Sequence, residues 1–175
     1  MDEMRKIVEE MNLPLVLCHD DINPTNIIYN GENESCTLVD YDMTCFRFAE
    51  FDLAIFLQSI CQGFNPADPS RPRRQPEFWK EALLEYLKAK AKIDGVDEGE
   101  AAGLLEQCYV RVRTLALIYS LIFVTYCFNV GVSNPNPPYG VPMDYINVGL
   151  GAYQTDYLNV KNEIIQPFLT DLGGL

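Results

Sequence analysis

Three residues near the start of the chain, His19, Asp21 and Asn26, form the pattern H-x-D-x-x-x-x-N within "LVLCHDDINPTNIIY". A pair of carboxylates, Asp40 and Asp42, follows in "LVDYD". These residue types suit phosphoryl transfer. That reaction needs a carboxylate to orient the attacking hydroxyl and take its proton, and oxygen ligands to hold Mg²⁺ against the phosphates. Mg²⁺ takes few protein ligands, chiefly carboxylate and amide oxygens, and completes its octahedron with water and phosphate. Asp21 fits the base, and Asn26 with Asp40 fits the metal.

For these groups to meet, the chain must fold back between them. The runs "NIIY" and "CTLVDY" are rich in β-formers and are separated by "NGENES". Asn-Gly between such runs signals a hairpin, here with a loop longer than two residues. The hairpin would bring the loop after Asp21 beside the strand that ends at Asp40.

The remaining elements are mostly helical. Met4, Ile7, Val8 and Met11 recur at helical spacing over residues 3–11. "AEFDLAIFLQSICQGF" predicts an apolar helix with Asp52 near its beginning. The Pro-rich stretch 65–76 predicts a loop, in which Arg71, Arg73 and Arg74 form a solvated basic cluster. Pro76 is suited to open the next helix and Gly95 to close it. A long helix is expected over about 98–129. Its second half, "TLALIYSLIFVTYCFNV", carries no charge for seventeen residues. That falls short of the usual ~18–20 residues of a membrane span, so a buried central helix is expected. After "GVSNPNPPYGVP" breaks the chain, a last amphipathic helix is expected over about 143–165.

At 175 residues the chain has the size of one domain, with 48% hydrophobic and 22% charged residues, the balance of a soluble globular protein. A net charge of −12 would repel nucleic acid and anionic membranes. The six cysteines occur singly and His19 is the only histidine, which excludes the usual structural zinc sites. Unpaired thiols and the absence of an apolar leader core predict a reducing, cytoplasmic location.

"LVLCHDDINPTNIIY…LVDYDMTCFRFAEFDLA" resembles the catalytic core of the choline/ethanolamine kinase family, within the wider group that includes aminoglycoside phosphotransferases. "GVPMDYINVGLGAY" is similar to a segment near that family's C-terminus. The resemblance implies the C-terminal lobe of a protein-kinase-like fold, α+β and mostly α, with a small β-hairpin carrying the metal-binding aspartate. It implies one domain over residues 1–175, with a catalytic loop at 18–42 and a helical substrate region at 50–170. Carried over residue by residue, Asp21 matches the base. Asn26 and Asp40 match the Mg²⁺ ligands, Asp42 is a nearby acid, and His19 supports the loop. Asp52 matches an aspartate that ties its helix start to the loop, which an N-cap would also do. The implied cofactors are Mg²⁺ and ATP, and the implied reaction is phosphorylation of a hydroxyl on a small amino alcohol, a phospholipid head-group precursor.

The chain departs from the family in two ways. The expected aromatic cage for a quaternary ammonium is not legible, because "LALIYSLIFVTYC" has no Trp and the expected acid falls at Ser59. Trp79, the only tryptophan, is expected in the core. Ser59, Tyr119 and Tyr126, with Tyr145 and Tyr153, are the substitutes in reach, which favours ethanolamine or another amino alcohol over choline. The chain also has no G-x-G-x-x-G and no lysine strand before Leu15, so the nucleotide lobe is expected to be absent. That leaves a truncated kinase completed by its missing N-lobe or by a second copy. The alternative is a non-catalytic relic lobe that binds a partner.

Overall fold

The computed structural model describes residues 2–62, 76–133, 157–167 and 170. The 65–75 loop with its arginine cluster, the break that follows Ser133, Tyr145, Tyr153 and the first part of the expected last helix lie outside the described residues. The chain divides into two compact units, Met1–Val112 and Arg113–Leu175.

The first unit begins with α1 (Asp2–Met11), which ends where Asn12 turns into the left-handed region at φ 46°. Asn is among the few non-glycine residues that accept this conformation readily. Two small antiparallel sheets follow. Strands β2 (Ile27–Asn30) and β3 (Ser35–Leu38) form the expected hairpin, with Ile27 opposite Leu38 and Asn30 opposite Ser35. Asparagine side chains shape its loop. The Asn30 side chain accepts from the Glu32 amide at 2.9 Å, and Asn33 accepts from the Ser35 amide at 3.2 Å.

The other sheet pairs β1 (Leu15–Cys18) with β4 (Cys45–Phe48), Leu15 opposite Phe48 and Cys18 opposite Cys45. This ladder encloses the hairpin. Its outer face exposes Leu15, Leu17 and Phe46, whereas Cys18 on the other face is buried.

Helix α2 (Phe51–Gln62) is apolar on several sides, and Phe51, Ala54, Ile55, Leu57 and Cys61 are buried. Helix α3 (Pro76–Asp94) opens on Pro76 and buries Trp79, Leu83, Leu87 and Ala91 at helical spacing. Trp79 is thus a core residue. Gly95, at φ 72°, ends the helix, and the Val96 amide reaches back to the Ala91 carbonyl at 2.9 Å.

The helix expected over 98–129 is two helices, α4 (Glu98–Ala102) and α5 (Leu105–Ser133). Asp97 caps α4 by accepting from the Gly99 and Glu100 amides. At the junction the Gly103 amide is shared between the Gly99 and Glu100 carbonyls, and Leu104 bonds Ala101. The last turn therefore tightens where glycine weakens the helix, and the axis restarts at Leu105.

Within the first unit, Cys108, Tyr109, Val110 and Val112 of α5 are buried, and Arg111 bonds Glu50 at 2.8 Å. In the second unit, Thr114, Leu115, Ala116 and Leu117 are buried. Burial does not run the length of the apolar stretch, because Ile122, Phe123 and Tyr126 are exposed. Apolar composition marks a helix as buried only where another element covers it. No helix among the described residues is long and apolar enough to cross a membrane. The end of the expected last helix is present at 157–167, with a π-helical turn over Lys161–Ile165 and with Val160 and Ile165 buried.

Leu83, 1% exposed, and Ile93, 85% exposed, lie on the same helix. Leu83→Ala is expected to cost about 2–5 kcal/mol in urea unfolding, and Ile93→Ala within about 0.5 kcal/mol.

Burial first and the Glu50 carboxylate second push the Cys108 thiol up to about 11, against an opposing pull from Arg111. The unfolded chain releases this proton near its ordinary value of 9.0, whereas the folded protein keeps it. Stability should therefore be intact below pH 9 and fall as pH rises towards 11, by on the order of 2 kcal/mol for this group. Unfolding curves across that range should decline less steeply for Cys108→Ala than for the parent chain.

Candidate active site

The loop between β1 and β2 is held at its first two residues. The backbone amides of His19 and Asp20 donate to Asp52, at 2.8 Å to Oδ2 and 2.9 Å to Oδ1. Asp52 is the second residue of α2, and the Ala54 amide bonds the Glu50 carbonyl, so Glu50 holds the N-cap position. The Asp52 side chain therefore does not cap its own helix. It spans from the helix start to the loop, where a carboxylate is also favoured by the helix dipole.

His19 is buried, and its Nε2 lies 3.0 Å from the Val39 carbonyl. A carbonyl can only accept, so this nitrogen carries the proton and donates. The ring also packs against Tyr41, with centroids 4.8 Å apart. His19 thereby joins the loop to the chain that leaves β3.

Asp21 is half-buried and surrounded by amide donors. Asn26 Nδ2 donates to its Oδ2 at 2.7 Å and to its backbone carbonyl at 3.0 Å. Asn23 Nδ2 donates to Oδ1 at 3.0 Å. A carboxylate has about four lone-pair sites, so two remain for a substrate hydroxyl.

The Asn26 amide can face only one way. Its neighbours on the Asp21 side are both acceptors, so the NH₂ must point there and Oδ1 must point away. That oxygen has only a long 3.5 Å contact to the Thr25 hydroxyl. A short 3₁₀ turn over Pro24–Asn26, capped by the Asn23 side chain, sets this orientation.

Asp40 lies two residues beyond β3, with φ 65° and an exposed side chain. The Val39 amide donates to the Asn26 carbonyl at 3.0 Å, extending the hairpin ladder by one pair. Asn26 and Asp40 thus flank one rung. Asp42 is exposed in the turn closed by the Thr44 amide on the Tyr41 carbonyl. Among the described residues, neither Asp40 nor Asp42 has a side-chain hydrogen bond or ion pair. Also among the described residues, no group of three or more His, Cys, Asp and Glu is arranged as a metal cluster. The donor set of one amide oxygen and one or two carboxylates, with phosphate and water completing the shell, fits Mg²⁺ better than such clusters do.

The structure therefore brings together His19, Asp21, Asn26, Asp40 and Asp52. Ser59 lies on α2, half-buried, with its hydroxyl donating to the Phe56 carbonyl at 2.8 Å. Tyr119 and Tyr126 belong to the second unit, Tyr119 half-buried with its ring 6.1 Å from Phe123 and Tyr126 exposed.

Sequence reasoning missed Asp20, Asn23 and Arg47. Asp20 adopts φ 64° and pairs with Arg47, and Asn23 supplies the second amide on Asp21. A signal was available for Arg47, the only Lys or Arg between His19 and Asp52.

The family model for choline/ethanolamine kinase matches residues 1–158. Ethanolamine kinase 1 of Mus musculus is 26% identical over 118 residues, covering 67% of this chain and 32% of that protein. The ethanolamine kinase of Drosophila melanogaster is 26% identical over 165 residues, covering 94% of this chain and 29% of that protein. The chain thus spans about a third or less of the length of these relatives. A solved Plasmodium vivax ethanolamine kinase superposes with a TM-score of 0.63 at 20% identity, over 89% of this chain and 37% of that one. The shared fold is kinase-like, α+β and mostly helical.

Asp52→Ala removes two charge-assisted bonds and leaves both loop amides unpaired, and should cost about 2–3 kcal/mol in denaturant unfolding. Asp52→Asn keeps one acceptor oxygen and should lose about half as much.

Proposed function

Since the chain belongs to the choline/ethanolamine kinase family, we propose that it is the catalytic lobe of an ATP-dependent phosphotransferase acting on the hydroxyl of a small amino alcohol. The observation that carries this reading is the Asn26 amide. It bonds the Asp21 carboxylate and turns its own oxygen away from that acid, on the rung that Asp40 follows. One arrangement thus serves two tasks, orienting a base and offering a metal ligand.

In this reading Asp21 accepts the proton of the attacking hydroxyl while the amides of Asn23 and Asn26 keep its carboxylate aimed. Asn26 and Asp40 hold Mg²⁺, with Asp42 in support. The ion supplies neutralisation of charge on the phosphate oxygens. The acidic segment around the site, in which Arg47 is the only Lys or Arg between His19 and Asp52, suits both Mg²⁺ and a cationic substrate. Ser59 is assigned to the ammonium group, for which an oxygen acceptor serves an amine bearing N–H donors better than a bare quaternary ion. Phosphate-clasping and lysine elements are not among these 175 residues, so turnover requires a nucleotide lobe and the chain by itself has little. The compartment assigned is the cytoplasm, supported by the free thiols of Cys18, Cys36, Cys45, Cys61 and Cys108.

A second reading, a non-catalytic lobe that binds a partner, draws on the exposed Leu15, Leu17 and Phe46 on one sheet face. Calorimetric titration with Mg²⁺–ATP bears on the choice, since binding supports the catalytic lobe and its absence a relic or a fragment.

In a form of the protein that phosphorylates ethanolamine, Asp21→Asn should lower kcat by about a hundredfold or more while Mg²⁺–ATP affinity holds. Near-parental turnover in that variant would remove Asp21 as the base.

A further inference from the structure

We infer that Arg47 is a positioning residue for the loop that carries Asp21, acting through Asp20. Its bearing on catalysis rests on the reading of Asp21 as the base. The tether itself rests on geometry alone.

Asp20 immediately precedes Asp21 and sits in the left-handed region at φ 64°. Asp tolerates that region better than most residues but does not prefer it, so the surroundings must hold it there. Two groups do so. Its amide donates to Asp52, and its carboxylate takes a forked contact from Arg47, Nε to Oδ1 at 3.1 Å and Nη2 to Oδ2 at 3.3 Å. The Asp20 side chain is 8% exposed and that of Arg47 41%, so the acid is enclosed while the base covers it.

Arg47 is itself fixed. It stands on β4 opposite Val16, and its guanidinium lies 5.5 Å from the centre of the Phe51 ring. Phe51 is buried and directly precedes Asp52. Both tethers on Asp20 therefore meet the start of α2, Asp52 as its second residue and Arg47 through its contact with the Phe51 ring. The bond to Asp20 also holds the guanidinium charged, raising its already high pKa.

The fork is the essential feature. A planar guanidinium can bond both carboxylate oxygens at once and fix the plane of the acid, whereas an ammonium presents a point charge. Plane and backbone turn are linked at Asp20, and the turn sets the direction in which Asp21 leaves β1.

The test is residue-resolved hydrogen exchange on the 175-residue chain. Arg47→Ala should speed exchange of the His19, Asp20 and Asn26 amides by at least about tenfold, with α3 amides within about twofold. Arg47→Lys should stay with the alanine variant. Asp20→Gly supplies the left-handed turn without a carboxylate, so adding Arg47→Ala to it should change nothing further. If Arg47→Ala does not fold, Asp20→Asn, which keeps the left-handed tolerance but loses the ion pair, should show the same local effect. Unchanged loop exchange, uniform loss across the chain, full rescue by lysine, or an additive effect on Asp20→Gly would each overturn the inference. None of these readouts depends on turnover, so they stand apart from the kcat test of Asp21.

Discussion

The Asp52 carboxylate is the constraint on which the site depends. Two backbone amides of an irregular loop cannot be satisfied by a ladder, and an unpaired buried amide is costly. One side chain from the first turn of α2 takes both. It thereby fixes His19 and Asp20, and each of these passes the constraint on. His19 carries it to the Val39 carbonyl and so to the end of the hairpin, and Asp20 carries it to Asp21. The hairpin closes the circuit, because Val39 bonds back to the Asn26 carbonyl. The carboxylate, the imidazole and the ladder form one ring of hydrogen bonds around a loop whose only regular piece is the 3₁₀ turn over Pro24–Asn26.

Within that ring the polar residues divide by what their hydrogen-bond types permit. Asn26 and Asn23 can donate, so they turn towards the Asp21 carboxylate and bond both of its oxygens. Asp40 and Asp42 can only accept, and they stand exposed without partners among the described residues. Under the proposed reading, these open carboxylates and the Asn26 amide oxygen are the oxygen donors that a hard cation would use. The left-handed turns at Asp20 and Asp40 belong to the same economy of form, since a short polar side chain allows a backbone reversal where the site also needs an acid.

Much of this was legible in the sequence where the signal is local. The spacing from His19 to Asn26 and the Asn-Gly between two β-rich runs pointed to the loop and the hairpin, and Pro76 and Gly95 marked the ends of α3. What escaped was non-local. "LVLC" and "CFRF" are each too short to announce their pairing, and no period within one strand names its partner across the chain. Arg47 was passed over for the same reason, because its meaning lies in Asp20 rather than in its neighbours. The break at Gly103 was hidden by a continuous helical pattern on both sides, which a single glycine does not visibly interrupt. The burial of α5 was overextended because composition tells what a helix could bury, not what lies against it.

The β1–β4 ladder has a further consequence. It fastens Cys18 to Cys45 and so draws the intervening chain into a closed loop, like the cord of a purse. Every residue assigned to base or metal lies inside that closure, and the cost of closing it is met once for all of them. The inner hairpin is local, whereas the loop before it is tied by Asp52 and by the His19 contact with Val39, between the two outer strands. The loop and the outer strands are thereby linked, so that opening the β1–β4 pair would loosen the segment it encloses.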